Sequence, residues 1–321
     1  MAATNLLKPN SGTNKRFDVA IVGGLGHVGL PLGITFSDCG LRVCLYDLNK
    51  ENAELVRKGI MPFIEYGAEP VLKKILNNKT LAVSADPNDL SAAKYIVVAI
   101  GTPVDEYLNP KTRQFLEIMS GLKKYLDSSQ TIMIRSTVYP NTCKQVLNLL
   151  SGNGKENEEG WHVAYCPERI AQGYAMQELR ELPQLIAGFS EKAIKDASEL
   201  FGIVAPKIIC VSMGEAELAK LFANAWRYIQ FAITNQFYMI AHNFGVDYNK
   251  VRNAMRDGYK RAETLPTAGF AAGPCLLKDT MQLAAFNPNS FLLGHAAMMV
   301  NEGLPNYIVE ELKKNHDMTK I

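Results

Sequence analysis

Between Phe17 and Cys210 the chain repeats one pattern: a short apolar run, a segment of helix length, then another apolar run. The runs "FDVAIVG", "LRVCLYD", "TLAVSA", "YIVVAIG", "TIMIRS" and "WHVAYC" are strand-like, and "QLIAGFSEKAIKDASELFGIVAPKIIC" offers strand, helix and strand again. Continuous apolar runs suit strands buried on both faces, and crossovers of helix length join parallel strands. The pattern therefore predicts an α/β fold with a doubly wound parallel sheet that ends near Cys210. From Gly214 the period changes. Apolar residues recur every three to four positions through "EAELAKLFANAWRYIQFAITNQFYMIAHNFG", about eight turns of one helix. The expected layout is a flexible leader over residues 1–15, a strand-and-helix domain over 16–211, and an all-helical domain over 212–321 built on that long central helix. The polar, turn-rich stretch "SGNGKENEEGW", Ser151 to Trp161, reads as a surface loop.

Composition removes several classes of function. A chain of 321 residues, 47% hydrophobic and 21% charged, can bury two cores. Its 34 basic and 32 acidic residues are interspersed, so neither nucleic acid nor an anionic membrane is an expected partner. No apolar run reaches the roughly 18 residues of a membrane span, and the first residues lack a signal-peptide core, so the cytoplasm is the expected location. Six cysteines lie scattered without CxxC spacing and read as free thiols. The histidines are too dispersed to suggest a metal site, and none is expected.

The first chemical signal is "VGGLGHVG", in which Gly24, Gly26 and Gly29 satisfy GxGxxG after a strand and a helix begins at Val28. Asp47 closes the next strand at the spacing where a carboxylate accepts from a ribose diol and repels a 2′-phosphate, which favours NAD over NADP. Gly24 is assigned to the tight turn, Gly26 to close approach of a pyrophosphate and Gly29 to helix packing; His27 and Val28 complete the cofactor loop. These features make the sheet domain Rossmann-like. Gly101 and Thr102 end a later strand, and Ser136 and Thr137 end another before a helix carrying Pro140 near its start. Both hydroxyls suit either a ligand or a helix cap. In "YCPERIAQG", Glu168 and Arg169 are either aimed by the stiff Pro167 loop or simply exposed. Lys220 and Asn224 share a helix face, where a lysine can poise a reaction or merely snorkel to water. In "GFAAGPCLLKDTM", Cys275, Lys278 and Asp279 fall within one helical turn, between Gly269, Gly273 and the helix they open. The thiol is either a nucleophile or a small buried hydrophobe.

Taken in order, GxGxVG, "GTP", "STV", "CPER", the KxxxN pair and "GPCLLKD" resemble the nucleotide-sugar dehydrogenases, the UDP-glucose/GDP-mannose 6-dehydrogenase family, over the whole chain from Phe17. The wording "CPER" and "GPCLLKD", with Gln172 where UDP-glucose enzymes often carry a second acid, is most similar to the UDP-N-acetylmannosamine and UDP-N-acetylglucosamine branch. The resemblance implies NAD-dependent oxidation of a sugar C6 alcohol to a carboxylate through a Cys275 thiohemiacetal and thioester. It implies that Lys220 stabilises oxyanion charge with Asn224 beside it, and that Asp279 orients Lys220 or the hydrolytic water. Thr137 would hold that water and Glu168 would serve acid-base steps. Arg169, Arg261, Gly269 and Gly273 would contact the sugar nucleotide, and Lys278 the cofactor or substrate. Family members also carry a C-terminal UDP-binding domain that this chain lacks, so NAD binding with poor turnover is expected. A homodimer seam is expected on the long helix through Trp226, Tyr228, Phe231 and Phe237. Three alternatives stand beside this reading: a UDP-glucose 6-dehydrogenase, a dehydrogenase of the 6-phosphogluconate or 3-hydroxyacid type, which needs no cysteine, and an NAD-binding dimer without activity.

Overall fold

A computed structural model describes residues 15–102, 105, 111–152, 160–271, 274–287 and 290–317. Residues 1–14 of the expected leader and residues 153–159 of the loop after Ser151 lie outside these residues. The first half of the sheet comprises β1 (Phe17–Val22), α1 (Gly29–Asp38), β2 (Val43–Tyr46), α2 (Lys50–Arg57), α3 (Ala68–Asn77), β3 (Leu81–Ser84) and β4 (Ala93–Val98). The second half comprises α4 (Thr112–Lys123), β5 (Thr131–Ile134), α5 (Thr142–Ser151), β6 (His162–Tyr165), α6 (Ala175–Glu181), β7 (Gln184–Gly188), α7 (Glu191–Phe201) and β8 (Ile208–Cys210). Then come α8 (Met213–Asn243), α9 (Tyr248–Arg256), α10 (Pro274–Phe286) and α11 (Leu292–Asn315). The chain divides into two compact units, the first closing at Glu217 and the second beginning at Leu218.

In the first unit eight strands form one sheet in the order β3-β2-β1-β4-β5-β6-β7-β8. Every expected strand is present, and the fold is Rossmann-like. One pairing departs from the expected all-parallel sheet: β6 and β7 run antiparallel, with Ala164 opposite Gly188 and Tyr165 opposite Ala187. Strand residues alternate between two cores because successive side chains point to opposite faces. Val19 and Ile21 pack with Val43, Leu45 and Val97 on one face, under α1, α3 and α7. Ala20 and Val22 pack with Ile96, Ile132 and Ile134 on the other, under α4 and α5. That two-sided burial is why these strands read as unbroken apolar runs. The second unit is helical. Tyr228 and Ala232 of α8, Leu276 of α10 and Ala297 of α11 form its core, with Phe231 packed against them.

Two local expectations change. Pro140 precedes the helix it was placed in, since α5 begins at Thr142 after Asn141 at φ +70°. Neither Ser136 nor Thr137 caps that helix. The buried carboxylate of Glu217 does so, accepting from the amides of Asn141 at 2.7 Å and Cys143 at 3.1 Å. The expected seam also divides: Trp226 and Phe237 are exposed, whereas Tyr228 is fully buried and Phe231 lies against the core. On α8 the two pairs point to different sides of the helix.

Candidate active site

The cofactor loop hangs from two strand ends. The amides of Gly23 and Gly24 both donate to Tyr46 O, and the amide of Leu25 donates to Asp47 Oδ2 at 3.0 Å. Asp47 Oδ1 accepts from Asn49, so the carboxylate that faces the loop is fixed in place by main chain on either side. The turn itself falls to Gly23, at φ +77°, rather than Gly24; Gly24 is needed because a Cβ there would lie 2.8 Å from Leu45 Cα. Gly29 behaves as expected, since a Cβ on it would lie 2.2 Å from Gly23 O. Gly26 is different. It is exposed, and the nearest atom to an added Cβ is Gly23 O at 3.6 Å, so nothing in the protein requires a glycine there. Space over Gly26, an α1 first turn with no acidic residue and no side-chain cap, and the oriented Asp47 together fit a pyrophosphate and its ribose. His27 is exposed beside this turn, its ring 4.0 Å from that of Phe63. Val28 is the N-cap residue of α1.

The neighbouring loops meet the same edge of the sheet. Ser136 Oγ lies 2.7 Å from Ile100 O and 3.3 Å from Val98 O, tying the end of β5 to the end of β4 just before Gly101 and Thr102. Thr137 is half-buried and follows directly. After β6, Glu168 is buried and fully engaged. Its Oε1 accepts from the amides of Arg169 at 2.5 Å and Ile170 at 2.7 Å, and its Oε2 pairs with Arg135 Nη2. Arg135 is itself 1% exposed, donates to Cys166 O and Gln184 Oε1, and lies over the Phe201 ring. Arg135 was missed in the sequence, although an arginine directly after the apolar "TIMI" is a signal that it has a buried partner. The Glu168 and Arg169 pair is thus neither exposed nor free: Arg169 donates to Pro183 O.

In the second unit α8 and α10 bring four of the expected residues together. Asn224 Nδ2 donates to Asp279 Oδ2 at 2.5 Å, and Lys278 Nζ lies 3.7 Å from Asp279 Oδ1. Lys220, one turn before Asn224, is buried and acts on the same carboxylate through its charge. Burial pushes the Asp279 carboxyl above its usual range, against the opposing pull of Lys278, Lys220 and the Asn224 hydrogen bond. Cys275 is exposed at the second position of α10, one turn before Asp279. Lys278 therefore stands with Asp279 and Cys275 on one helical turn of α10. Gly269 donates its amide to Asn235 Oδ1 at 2.8 Å. Arg261 is exposed in a short turn, over the Tyr259 ring. Gly273 lies outside the described residues. Among the described residues, no group of three His, Cys, Asp or Glu could hold a metal, and no helix is long and apolar enough to cross a membrane.

Comparison with known proteins matches these two units separately. The NAD binding domain of the UDP-glucose/GDP-mannose dehydrogenase family matches residues 17–204, and the central domain of that family matches residues 214–302. The UDP-N-acetyl-D-mannosamine dehydrogenase of Pyrococcus horikoshii is 30% identical over 293 residues, covering 88% of this chain and 68% of that protein. A structure of UDP-D-ManNAc dehydrogenase from Pyrococcus horikoshii has a TM-score of 0.83 at 27% identity, covering 92% of this chain and 72% of that one. A UDP-glucose dehydrogenase from Pyrobaculum islandicum shares the fold, with a TM-score of 0.84 at 24% identity over 96% of this chain and 72% of its own. Family models that together span the glycine turn, Asp47, the α8 pair and Cys275 decide against the 6-phosphogluconate and 3-hydroxyacid type: the chain belongs to the UDP-glucose/GDP-mannose dehydrogenase family.

Proposed function

We propose that the chain catalyses NAD-dependent oxidation of the C6 alcohol of a UDP-N-acetylhexosamine to the carboxylate, with Cys275 as covalent carrier. The observation that carries this is the buried Asn224–Asp279 pair, flanked by Lys220 and Lys278, one helical turn from an exposed thiol. The turn from Gly24 to Gly29, Asp47, Gly101, Thr102 and Ser136 would hold the cofactor. NAD, when bound, supplies the hydride acceptor at both oxidation levels. The Lys220 ammonium stabilises negative charge on the sugar oxygen as its proton leaves, and Asp279, holding its own proton to higher pH than usual, serves as the local proton relay.

An aldehyde carbon has no hydride to release until a nucleophile adds to it. Addition of Cys275 Sγ forms a C–S bond and moves the carbonyl electron pair to oxygen; loss of a hydride from that carbon leaves a thioester. Water then adds, the C–S bond breaks, and Sγ departs with the electron pair, leaving the carboxylate. The hydrolytic roles of Thr137 and Glu168 rest on the family resemblance, as do substrate contacts from Arg169, Arg261 and Gly269. The saturated hydrogen bonds of Glu168 favour holding its loop over moving a proton. UDP-N-acetylhexosamine is preferred to UDP-glucose because the sequence relative at 30% identity is named for the former. The cytoplasm is the location proposed with this reading.

Counting NADH formed per sugar consumed tests the proposal, with UDP-N-acetylmannosamine and UDP-glucose compared. Two NADH per UDP-N-acetylmannosamine, and none from Cys275→Ser, is the expected result. One NADH per sugar, or full turnover by Cys275→Ser, removes the covalent scheme.

A second copy of this chain is the proposed partner. Phe222, Trp226, Ile233, Phe237 and Ile240 are exposed along one stripe of α8, spaced three, four or seven residues apart. That is the seam of a helix that packs against another helix. Phe222 and Trp226 also wall a groove of about 620 Å³ with Leu283 and Phe286 of α10 and Phe291. Light scattering should give twice the chain mass, and Trp226→Glu with Ile233→Glu should give monomer. A parent protein that is monomeric at micromolar concentration would remove the dimer.

A further inference from the structure

We propose that Asn235 and Asn301 are positioning residues for the loop that presents Cys275, an inference that rests on the reading of Cys275 as the nucleophile. Asn235 of α8 is 0% exposed and Asn301 of α11 is 5% exposed. A buried amide is costly unless its donors and acceptor are used, and asparagine is a poor residue for a helix interior. Both side chains are used. Gly269 N donates to Asn235 Oδ1 at 2.8 Å, Asn235 Nδ2 donates to Asn301 Oδ1 at 2.9 Å, and Asn301 Nδ2 donates to Tyr228 O at 2.9 Å. The first bond joins the loop to α8 and the other two join α8 to α11, so the chain of three links α11 and α8 to a loop amide six residues before the thiol.

The loop between Glu263 and Pro266 is tied through its main-chain acceptors. Arg256 Nε donates to Glu263 O, and Arg252 Nε donates to Leu265 O and Pro266 O. Arg252 and Arg256 thus hold the loop's approach, and Asn235 holds Gly269, five residues before α10 opens at Pro274. Tyr228, whose carbonyl ends the chain, also donates its hydroxyl to Glu302 at 2.7 Å, which fixes α11 against α8. Helix α11 carries none of the expected catalytic groups, yet it supplies the residue that orients Asn235. A satisfied polar network of this kind specifies one arrangement where apolar packing alone would tolerate several.

Replacing both partners of a buried hydrogen bond by apolar groups of similar size leaves stability nearly unchanged, which separates anchoring from folding. Asn301→Leu and the double variant Asn235→Leu with Asn301→Leu are therefore compared with the parent chain by hydrogen exchange. Amides of residues 263–277 should exchange about tenfold faster in the double variant, with the sheet strands and the melting temperature unchanged. Iodoacetamide labelling of Cys275, measured against exposed Cys210 as internal reference, should shift at least threefold in the same variants, and kcat should fall with KM held. Parent-like exchange and labelling in the double variant would overturn the proposal, as would a rise spread evenly over the second unit. Should Cys275→Ser retain turnover while the exchange result holds, the anchoring stands and the nucleophile reading falls.

Discussion

In the first unit the site is made of main chain, and in the second it is made of side chains carried by two helices. Around Gly23 to Gly29 the recognition elements are amide groups, close backbone approaches and one carboxylate held by amides. Around α8 and α10 they are an amide, two ammonium groups and a carboxylate taken from positions 55 residues apart. Backbone sites are built by steric exclusion, so they tolerate few residue types at each position. Side-chain sites are built by burial, which changes what each group does: burial raises the Asp279 carboxyl against the opposing pull of adjacent Lys278 and of Lys220 and Asn224 from α8.

Four measurements would break or sharpen this contrast. The largest effect is expected for Cys275→Ala, with turnover lower by on the order of 10³ or more and NAD affinity by calorimetry unchanged. A parallel loss of NAD binding would mean that the two sites are not built independently. Next is Lys220→Met, for which a fall in kcat of about 10² is expected from loss of an oxyanion partner; an effect confined to KM would make Lys220 a binding residue only. Third, the glycines should separate. Gly29→Ala drives a Cβ into Gly23 O and should cost about 1–3 kcal/mol of stability, whereas Gly26→Val should melt like the parent and bind NAD about tenfold more weakly. Equal melting temperatures for the two variants would show that the turn yields.

The smallest expected effect is on pH dependence. The folded-state carboxyl of Asp279 is raised, so the folded chain holds a proton that the unfolded chain has lost. Stability is therefore expected to decline as pH rises from the ordinary carboxyl value of about 4 through the raised one, and Asp279→Asn should flatten that decline. An unchanged slope in denaturant titrations from pH 4 to pH 8 would mean that the burial cost is met elsewhere.

Much of the fold could be read from period alone. All eight strands and the long helix were legible because strands buried on both faces are continuous apolar runs and α8 keeps a helical repeat. The antiparallel turn of β7 onto β6 was not, because apolar runs carry no direction. At the site, Gly26, Gly29 and Asp47 were legible from spacing, whereas Gly23 was hidden by the adjacent Gly24, and only φ separates the two. Pro140 was read as helical because proline favours a first turn, but Asn141 in the left-handed region delays the helix to Thr142. Tyr228 and Phe231 were read as a seam with Trp226 and Phe237, since an aromatic-rich helix does not reveal which aromatic side packs inward.

By itself the sequence determined the order of elements, the two-sided sheet, the glycine positions that exclude a side chain, and the grouping of Cys275, Lys278 and Asp279 on one helical turn. These follow from local rules of period and steric contact within a few residues. The tertiary structure alone decided that Arg135 neutralises Glu168, that Glu217 caps α5, that Asn224 meets Asp279 and that Asn301 orients Asn235. Each of those pairs lies 33 to 76 residues apart, and each exists because a polar group enclosed by packing must find its partner wherever the chain brings one.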